Sequence, residues 1–323
     1  MSSLHAVLAT PPDLEPIASI DAWWRRHQTA VRPSSPDVAS LPIDQAILGG
    51  FAADRVGYAF ASGYQAALRA LVPDLPADRI ASLCMTERGG GHPRAVETRL
   101  EAAPAGDTFR VTGRKRWATL SSDAGVLLVA ASTGTDEAGK NRLRLVRVES
   151  TAPGVTLHPM LAPPFTAEIT HAEVQLEGVV VTERDVYPGD GFARYVRPFR
   201  TVEDIHVTAA IFAYLIREIR LHDLARSFTE RLALALVALR GLAVADPSAP
   251  EGHLALAGLL ELTRPLLDEL SRAWAKTESP AHARWETDRL VLTVGSGARD
   301  KRRSRAWELL IGAAAAADEA TAE

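Results

Sequence analysis

Apolar positions along the chain change their period twice. From Asp44 to Leu71 they recur at helical spacing: Ile47, Leu48 and Phe51, then Val56, Phe60, Tyr64, Leu68 and Leu71. Small residues fall between them (Ala52, Ala53, Ala59, Ala61, Gly63, Ala66, Ala67), which predicts helices packed at short range. Upstream, Asp21 is placed to cap a short helical segment holding Trp23 and Trp24, and a polar linker with two prolines, Val31 to Ser40, follows it.

The middle third alternates instead. Phe109-Arg110-Val111 reads as a half-buried strand, Thr112-Gly113-Arg114 as a turn, and Lys115 to Thr119 as the return strand. Val126 to Ala130 is a continuous apolar run, the pattern of a strand covered on both faces. After the polar tip Thr133–Asn141, Leu143, Leu145 and Val148 mark another strand, and two more are expected around Ile169–Leu176 and Val179–Val181. Short strands separated by Pro and Gly predict an antiparallel barrel or sandwich. From Arg200 the helical period returns, in Leu224–Val244, in a stripe from Leu256 through Leu270 to Trp274, and in Ala283–Ile311. Pro265 should kink the second of these, and Ala313–Glu323 reads as a helical tail. Long helices with short connections predict a bundle. The fold class is α+β multidomain, with a helical part at 1–83, a β-barrel or sandwich at 84–199 and a C-terminal helical bundle at 200–323. The Leu stripe is either the core of that bundle or a surface for a second copy.

Composition narrows the function classes. With 36 Lys+Arg against 40 Asp+Glu the net charge is −4, which argues against a nucleic-acid coat. The single cysteine, Cys84, excludes an intrachain disulfide and a Cys-rich metal site. Charge interrupts every apolar stretch well before eighteen residues, so no membrane span is predicted. Residues 1–16 lack the basic start and apolar centre of a signal peptide, and a cytoplasmic location is the expectation. The nine histidines are scattered without a His-Glu-x-x-His pattern, and Glu203-x-x-His206 is one half of a di-iron motif with no second copy, so no metal site is predicted. Ser121-Ser122-Asp123 lacks a nucleophile elbow.

Met85-Thr86-Glu87, then Gly89-Gly90-Gly91, then Lys115-Arg116-Trp117-Ala118-Thr119 follow one another at the junction into the strands. Gly63-Tyr64-Gln65-Ala66-Ala67-Leu68 precedes them, and Pro188-Gly189-Asp190-Gly191 with Arg200 closes the strand region. In order and spacing these segments resemble the acyl-CoA dehydrogenase family over roughly residues 45–310. The resemblance implies FAD as cofactor, with Met85, Thr86, Trp117, Thr119 and Arg200 contacting it. It also implies Gly91 and His92 at the substrate, an acyl-CoA or other small molecule, and a homo-oligomer, dimer or tetramer. The types suit a flavin, which needs hydrogen-bonding groups at its pyrimidine edge and an aromatic neighbour. Read without the resemblance, Trp117 is a half-buried strand aromatic and Thr86 a turn cap.

Departures from the family pattern are equally visible. Gly90-Gly91-His92-Pro93 replaces its Ala-Gly-Ser-Asp type sequence, so His92 stands where a small hydroxyl is expected, either to bind an anion or move a proton, or as a loop residue facing solvent. The triple glycine offers a possible nest for phosphate. Neither the Arg-x-x-Phe-Gly nor the Gln-x-x-Gly-Gly-x-Gly segment occurs; Val294-Gly295-Ser296-Gly297 stands nearest the second. Arg299, Lys301, Arg302, Arg303 and Arg305 either replace them as phosphate contacts or form an ion-pair belt. Glu308, the tenth residue counting from Arg299 of Arg299-Asp300, is the position of the catalytic carboxylate by the resemblance, on a stretch whose helical spacing continues through Leu309-Leu310-Ile311. Thr86 also lies closer to the N-terminus than the family places it, which implies a reduced N-terminal helical part. The expected function is α-proton abstraction from an acyl thioester with hydride transfer to FAD, a CH–CH oxidoreductase. The alternatives are a binding or assembly protein that has lost cofactor and base, and a flavin-dependent monooxygenase.

Overall fold

The computed structural model describes residues 2–32, 40–103 and 106–321, with side chains to residue 312. Most of the expected Val31–Ser40 linker lies outside these residues. Two compact units emerge, Met1–Ala18 with Arg25–Ala67 and Thr201–Glu323, and Ser19–Trp24 with Leu68–Arg200.

The first unit is helical. Its elements are α1 (Ser3–Ala9), most of α2 (Ile20–Ala30), α3 (Pro42–Ala52), α4 (Val56–Leu71, to Ala67), α5 (Arg197–Leu221, from Thr201), α6 (Arg226–Ala243), α7 (Pro250–Ala275), α8 (Pro280–Asp288) and α9 (Ser296–Thr321). Helix α5 is apolar around most of its circumference, with Ala209, Ala210, Ile211, Ala213, Leu215 and Ile216 fully buried, as a helix surrounded by others must be. The small residues seen in the sequence allow that enclosure. A Cβ on Gly50 of α3 would lie 2.1 Å from the Ala210 carbonyl oxygen, and one on Gly63 of α4 would lie 2.5 Å from the Val207 Cα. Helix α7 turns Leu256, Leu266, Leu267, Leu270 and Trp274 inward, so these members of the stripe are core of this chain, and the helix continues through Pro265.

Two expectations are corrected here. Ser19, not Asp21, caps α2: its hydroxyl accepts from the Ala22 N–H at 3.2 Å, while Asp21 occupies the first turn. The stretch Ala283–Ile311 is not one helix. A 3₁₀ segment, Arg289–Thr293, and the left-handed Gly295 (φ +77°) separate α8 from α9. Helix α9 then runs unbroken past residue 308.

The second unit is built on a seven-stranded mixed sheet of β1 (Ala81–Cys84), β2 (Arg99–Ala102), β3 (Thr108–Thr119), β4 (Val126–Thr135), β5 (Asn141–Glu149), β6 (Val155–Pro159) and β7 (His171–Thr182). The order is β1-β4-β2-β3-β7-β6, with β5 on the other side of β4. Most pairings are antiparallel, but β4 runs parallel to β1 and meets β2 in parallel at Ser132. Val126 to Ala131 are all buried, as the apolar run implied. Two further corrections concern β3 and β7. Gly113 makes no turn: β3 continues through it, with a shift of register against β7 beside it. Its lack of a side chain answers a different need, because a Cβ there would stand 2.3 Å from the Thr98 hydroxyl. Likewise β7 is one strand, passing through Gly178 where two were expected.

Candidate functional site

Glu87 and Lys115 organise the junction between β1 and β3. The Lys115 side chain is fully buried, and its ammonium donates to Glu87 Oε1 at 2.6 Å and to the Ala130 carbonyl at 2.5 Å. Glu87 also accepts from the Glu97 N–H (2.8 Å), the Thr98 N–H (3.1 Å) and the Thr98 hydroxyl (2.8 Å). Burial opposes ionisation of Glu87, but the Lys115 charge and these donors outweigh it and hold the carboxyl below its ordinary range. For Lys115 burial prevails and lowers the ammonium's pKa. Between these two residues lies a backbone link, Arg116 N–H to the Thr86 carbonyl, 2.8 Å.

That link sets Thr86 beside Arg116, the residue before Trp117. Trp117 adopts a left-handed conformation (φ +55°) at the second register shift of β3, which turns its indole out of the sheet and leaves it 53% exposed. Thr119 is held from two sides. Its carbonyl accepts from the Ser82 hydroxyl at 2.7 Å, and its hydroxyl lies 3.4 Å from His171 Nε2, across the β3–β7 register. His171 meets the Trp117 ring edge-on, centroids 6.2 Å apart, while burial lowers its pKa. Thr119, His171 and the exposed Trp117 indole thus form one group of contacts, and the part-buried Thr86 joins the same strand through Arg116.

Gly91 adjoins Thr86, since a Cβ on it would lie 3.6 Å from the Thr86 hydroxyl. In the preceding turn Glu87 and Gly90 exchange backbone hydrogen bonds (3.1 and 3.0 Å), with Gly90 at φ +102°. The Gly90 N–H is therefore engaged within the turn. His92 is exposed and caps the 3₁₀ turn Pro93–Ala95, its Nδ1 accepting from the Arg94 N–H at 3.2 Å. Met85 is buried with Val96, Ala130 and Leu143. Arg200 is exposed in the first turn of α5.

Glu308 lies apart from these residues in the sequence, on α9 of the helical unit. Its side chain is 62% exposed and accepts from Arg305 at 2.9 Å. Arg299 and Arg302 pair with Asp204 of α5 at 2.9 and 2.6 Å, so these members of the basic run are ion-paired. Glu203 and His206 are both buried in α5; the His206 Nδ1–H donates to the Val202 carbonyl at 2.8 Å, and burial pushes its pKa down to about 4. Among the described residues no cluster of three or more His, Cys, Asp or Glu is placed to hold a metal, and no helix is long and apolar enough to cross a membrane. The same helical unit carries a cavity of about 460 Å³, open to solvent, lined by α5, α7 and the start of α9.

The sequence reading named Thr86, Trp117, Thr119 and Gly91 but missed His171 and the pairing of Glu87 with Lys115. His171 becomes visible only once the β3–β7 register is known.

Comparison with known proteins bears on the same region. Residues 82–179 match the family model of the acyl-CoA dehydrogenase middle domain. A probable acyl-CoA dehydrogenase of Bacillus subtilis (strain 168), YngJ, is 29% identical over 128 residues, which cover 39% of this chain and 33% of that protein. The aligned stretch thus spans about a third of the curated relative's length. Among solved structures, glutaryl-CoA dehydrogenase from Mycobacterium smegmatis superposes with a TM-score of 0.61 at 15% identity, covering 94% of this chain and 92% of its own. PigA with FAD and proline gives 0.63 at 13% identity, covering 95% and 92%. At such identities the superpositions establish the fold.

Proposed function

We propose that the chain is a divergent member of the acyl-CoA dehydrogenase family and a flavoprotein oxidising an acyl thioester or a related small molecule. What supports this reading is the contact group of Trp117, Thr119 and His171, with Thr86 joined to the same strand through Arg116. An indole projecting from a strand at a register shift offers a face or edge to a planar ring system. In this reading the Thr86 and Thr119 hydroxyls hydrogen-bond the ring, and Gly91 keeps the space beside Thr86 free of a side chain. These groups fit an isoalloxazine, which is the part of FAD they would hold. PigA is described with FAD. When bound, FAD supplies the hydride acceptor for a carbon β to a thioester.

The chain's own task is then to position the ring and to take the α proton. Lys115 and Glu87 keep the Thr86 turn and the Trp117 strand in register from beneath. Glu308 is the proposed proton acceptor. Its exposure and its hydrogen bond to Arg305 mean that substrate must displace water and Arg305 before the carboxylate can act as a base. That same observation favours a second reading, in which the scaffold binds flavin or ligand without α-proton abstraction, as an oxygen-using monooxygenase or a binding protein.

Anaerobic mixing of the FAD-loaded chain with octanoyl-CoA separates the two. The dehydrogenase reading expects the flavin's visible absorbance to bleach, and Glu308→Gln to slow that bleaching by about 10²–10⁴-fold with FAD retained. Bleaching at an unchanged rate in Glu308→Gln removes Glu308 from the mechanism. No bleaching with acyl-CoA, despite bound FAD, leaves the second reading.

A further inference from the structure

The contacts of His171 decide which of its ring nitrogens carries the proton. Nδ1 lies 3.1 Å from the carbonyl oxygen of Ile169, two residues earlier in the chain. A carbonyl only accepts, so Nδ1 is protonated and donates to it. Burial lowers the pKa of the imidazole, which keeps the ring neutral at neutral pH. A neutral imidazole has one N–H, and with that proton on Nδ1 the Nε2 atom is bare and can only accept.

Nε2 lies 3.4 Å from the Thr119 hydroxyl, and among the described residues that hydroxyl has no other hydrogen-bond partner. Facing a bare nitrogen, the hydroxyl is the donor. A threonine hydroxyl has one proton and two lone pairs, so giving the proton to His171 leaves Thr119 an acceptor toward any other molecule that reaches it. Thr119 is half-buried, near the exposed Trp117 indole that His171 meets edge-on, and the β3–β7 pairing of Thr119 with His171 keeps the two side chains opposed. Polarity at this point matters to a flavin. An isoalloxazine has a single ring N–H when oxidised, and reduction turns a ring nitrogen that accepted hydrogen bonds into an N–H that donates them. Hydrogen bonds to the ring nitrogens are one of the means by which a protein tunes a bound flavin.

On the reading that Thr119 touches the flavin ring, we propose that His171 is a positioning residue that fixes the Thr119 hydroxyl as an acceptor and so biases bound FAD toward its reduced form.

Two measurements test this. Heteronuclear NMR of the chain without flavin should find His171 neutral at neutral pH, protonated on Nδ1 and bare on Nε2, its signals identified by their absence in His171→Gln. The midpoint potential of the FAD-loaded chain, read by dye-coupled reduction, supplies the second. His171→Phe keeps a ring against Trp117 but offers Thr119 no acceptor, whereas the glutamine carbonyl of His171→Gln can replace Nε2. Both variants lose the bond to the Ile169 carbonyl, so the difference between them reads the acceptor alone. Relative to oxidised FAD, the wild type should hold reduced FAD about tenfold more tightly than His171→Phe does. That ratio corresponds to a midpoint about 30 mV higher. His171→Gln should restore most of the shift, with circular dichroism confirming that both variants fold. A proton on Nε2, a charged ring at neutral pH, a potential equal in wild type and His171→Phe, or a glutamine variant as low as the phenylalanine one would overturn the proposal. A wild-type chain that takes up no FAD removes the flavin reading and the redox bias with it, whereas a potential indifferent to His171 overturns the bias alone and leaves the flavin reading standing.

Discussion

Replacing Lys115 by methionine removes the charge beneath the proposed flavin edge while keeping an apolar side chain of similar length. Lys115 is fully buried and the Glu87 side chain is 6% exposed, so the substitution strands a carboxylate in the sheet's interior. Breaking a buried pair from one side costs about 3–5 kcal/mol. Glu87 keeps three donors, from Glu97 and Thr98, which places the carboxylate's share near the lower end of that range. The Ala130 carbonyl loses its hydrogen bond as well, adding about 1 kcal/mol. Lys115→Met should therefore destabilise the chain by about 4 kcal/mol in urea unfolding followed by circular dichroism. Adding Glu87→Gln, which removes the stranded charge, should recover about 2 kcal/mol of that loss. In the wild type, Glu87 ionises more readily folded than unfolded. Its stabilisation is complete above the ordinary carboxylate range near 4.3 and is lost as pH falls through its lower native value. A single variant losing less than about 1 kcal/mol, or a double variant less stable than the single, would refute this account of the pair.

Other expectations follow from burial and close approach. His206, pushed to about 4, binds its proton less readily folded than unfolded, so stability is lost as pH falls from about 6.5 to 4. His206→Gln should remove up to about 3 kcal/mol of that acid sensitivity in pH-dependent unfolding, and an NMR titration should find His206 neutral at pH 6. Gly50→Ala forces a Cβ against the Ala210 carbonyl and should cost about 2–3 kcal/mol. Gly258→Ala, in the interior of α7 with open space around it, should instead gain about 0.5–1 kcal/mol; thermal melts of the two variants check the contrast.

How far the sequence foretold this molecule depended on whether a residue's chemistry matched its place. The apolar run at Val126 read as a strand covered on both faces because successive residues point to opposite faces and all of Val126 to Ala131 are buried. The small residues of α3 and α4 foretold close packing because their reason is local geometry. Gly113 misled because glycine marks both turns and close approaches, and only the position of Thr98 tells them apart. The break before α9 rests on one left-handed glycine inside a helical period, and β6 is a short, half-exposed strand recognisable only by its partner β7. At the candidate site the residue types Thr86, Trp117 and Thr119 were legible as a motif. A buried lysine runs against the usual place of lysine, so Lys115 as the foundation of the site was not.

The central claim, that the edge at Thr86, Trp117 and Thr119 holds a flavin, is tested most directly by titrating the purified chain with FAD and recording the visible spectrum. The account predicts saturable, near-stoichiometric uptake with a shifted flavin band, and about tenfold weaker uptake by Trp117→Ala at unchanged stability, since that indole is more than half exposed. A chain that stays colourless and takes up no FAD, or one that binds FAD equally well without Trp117, would contradict it.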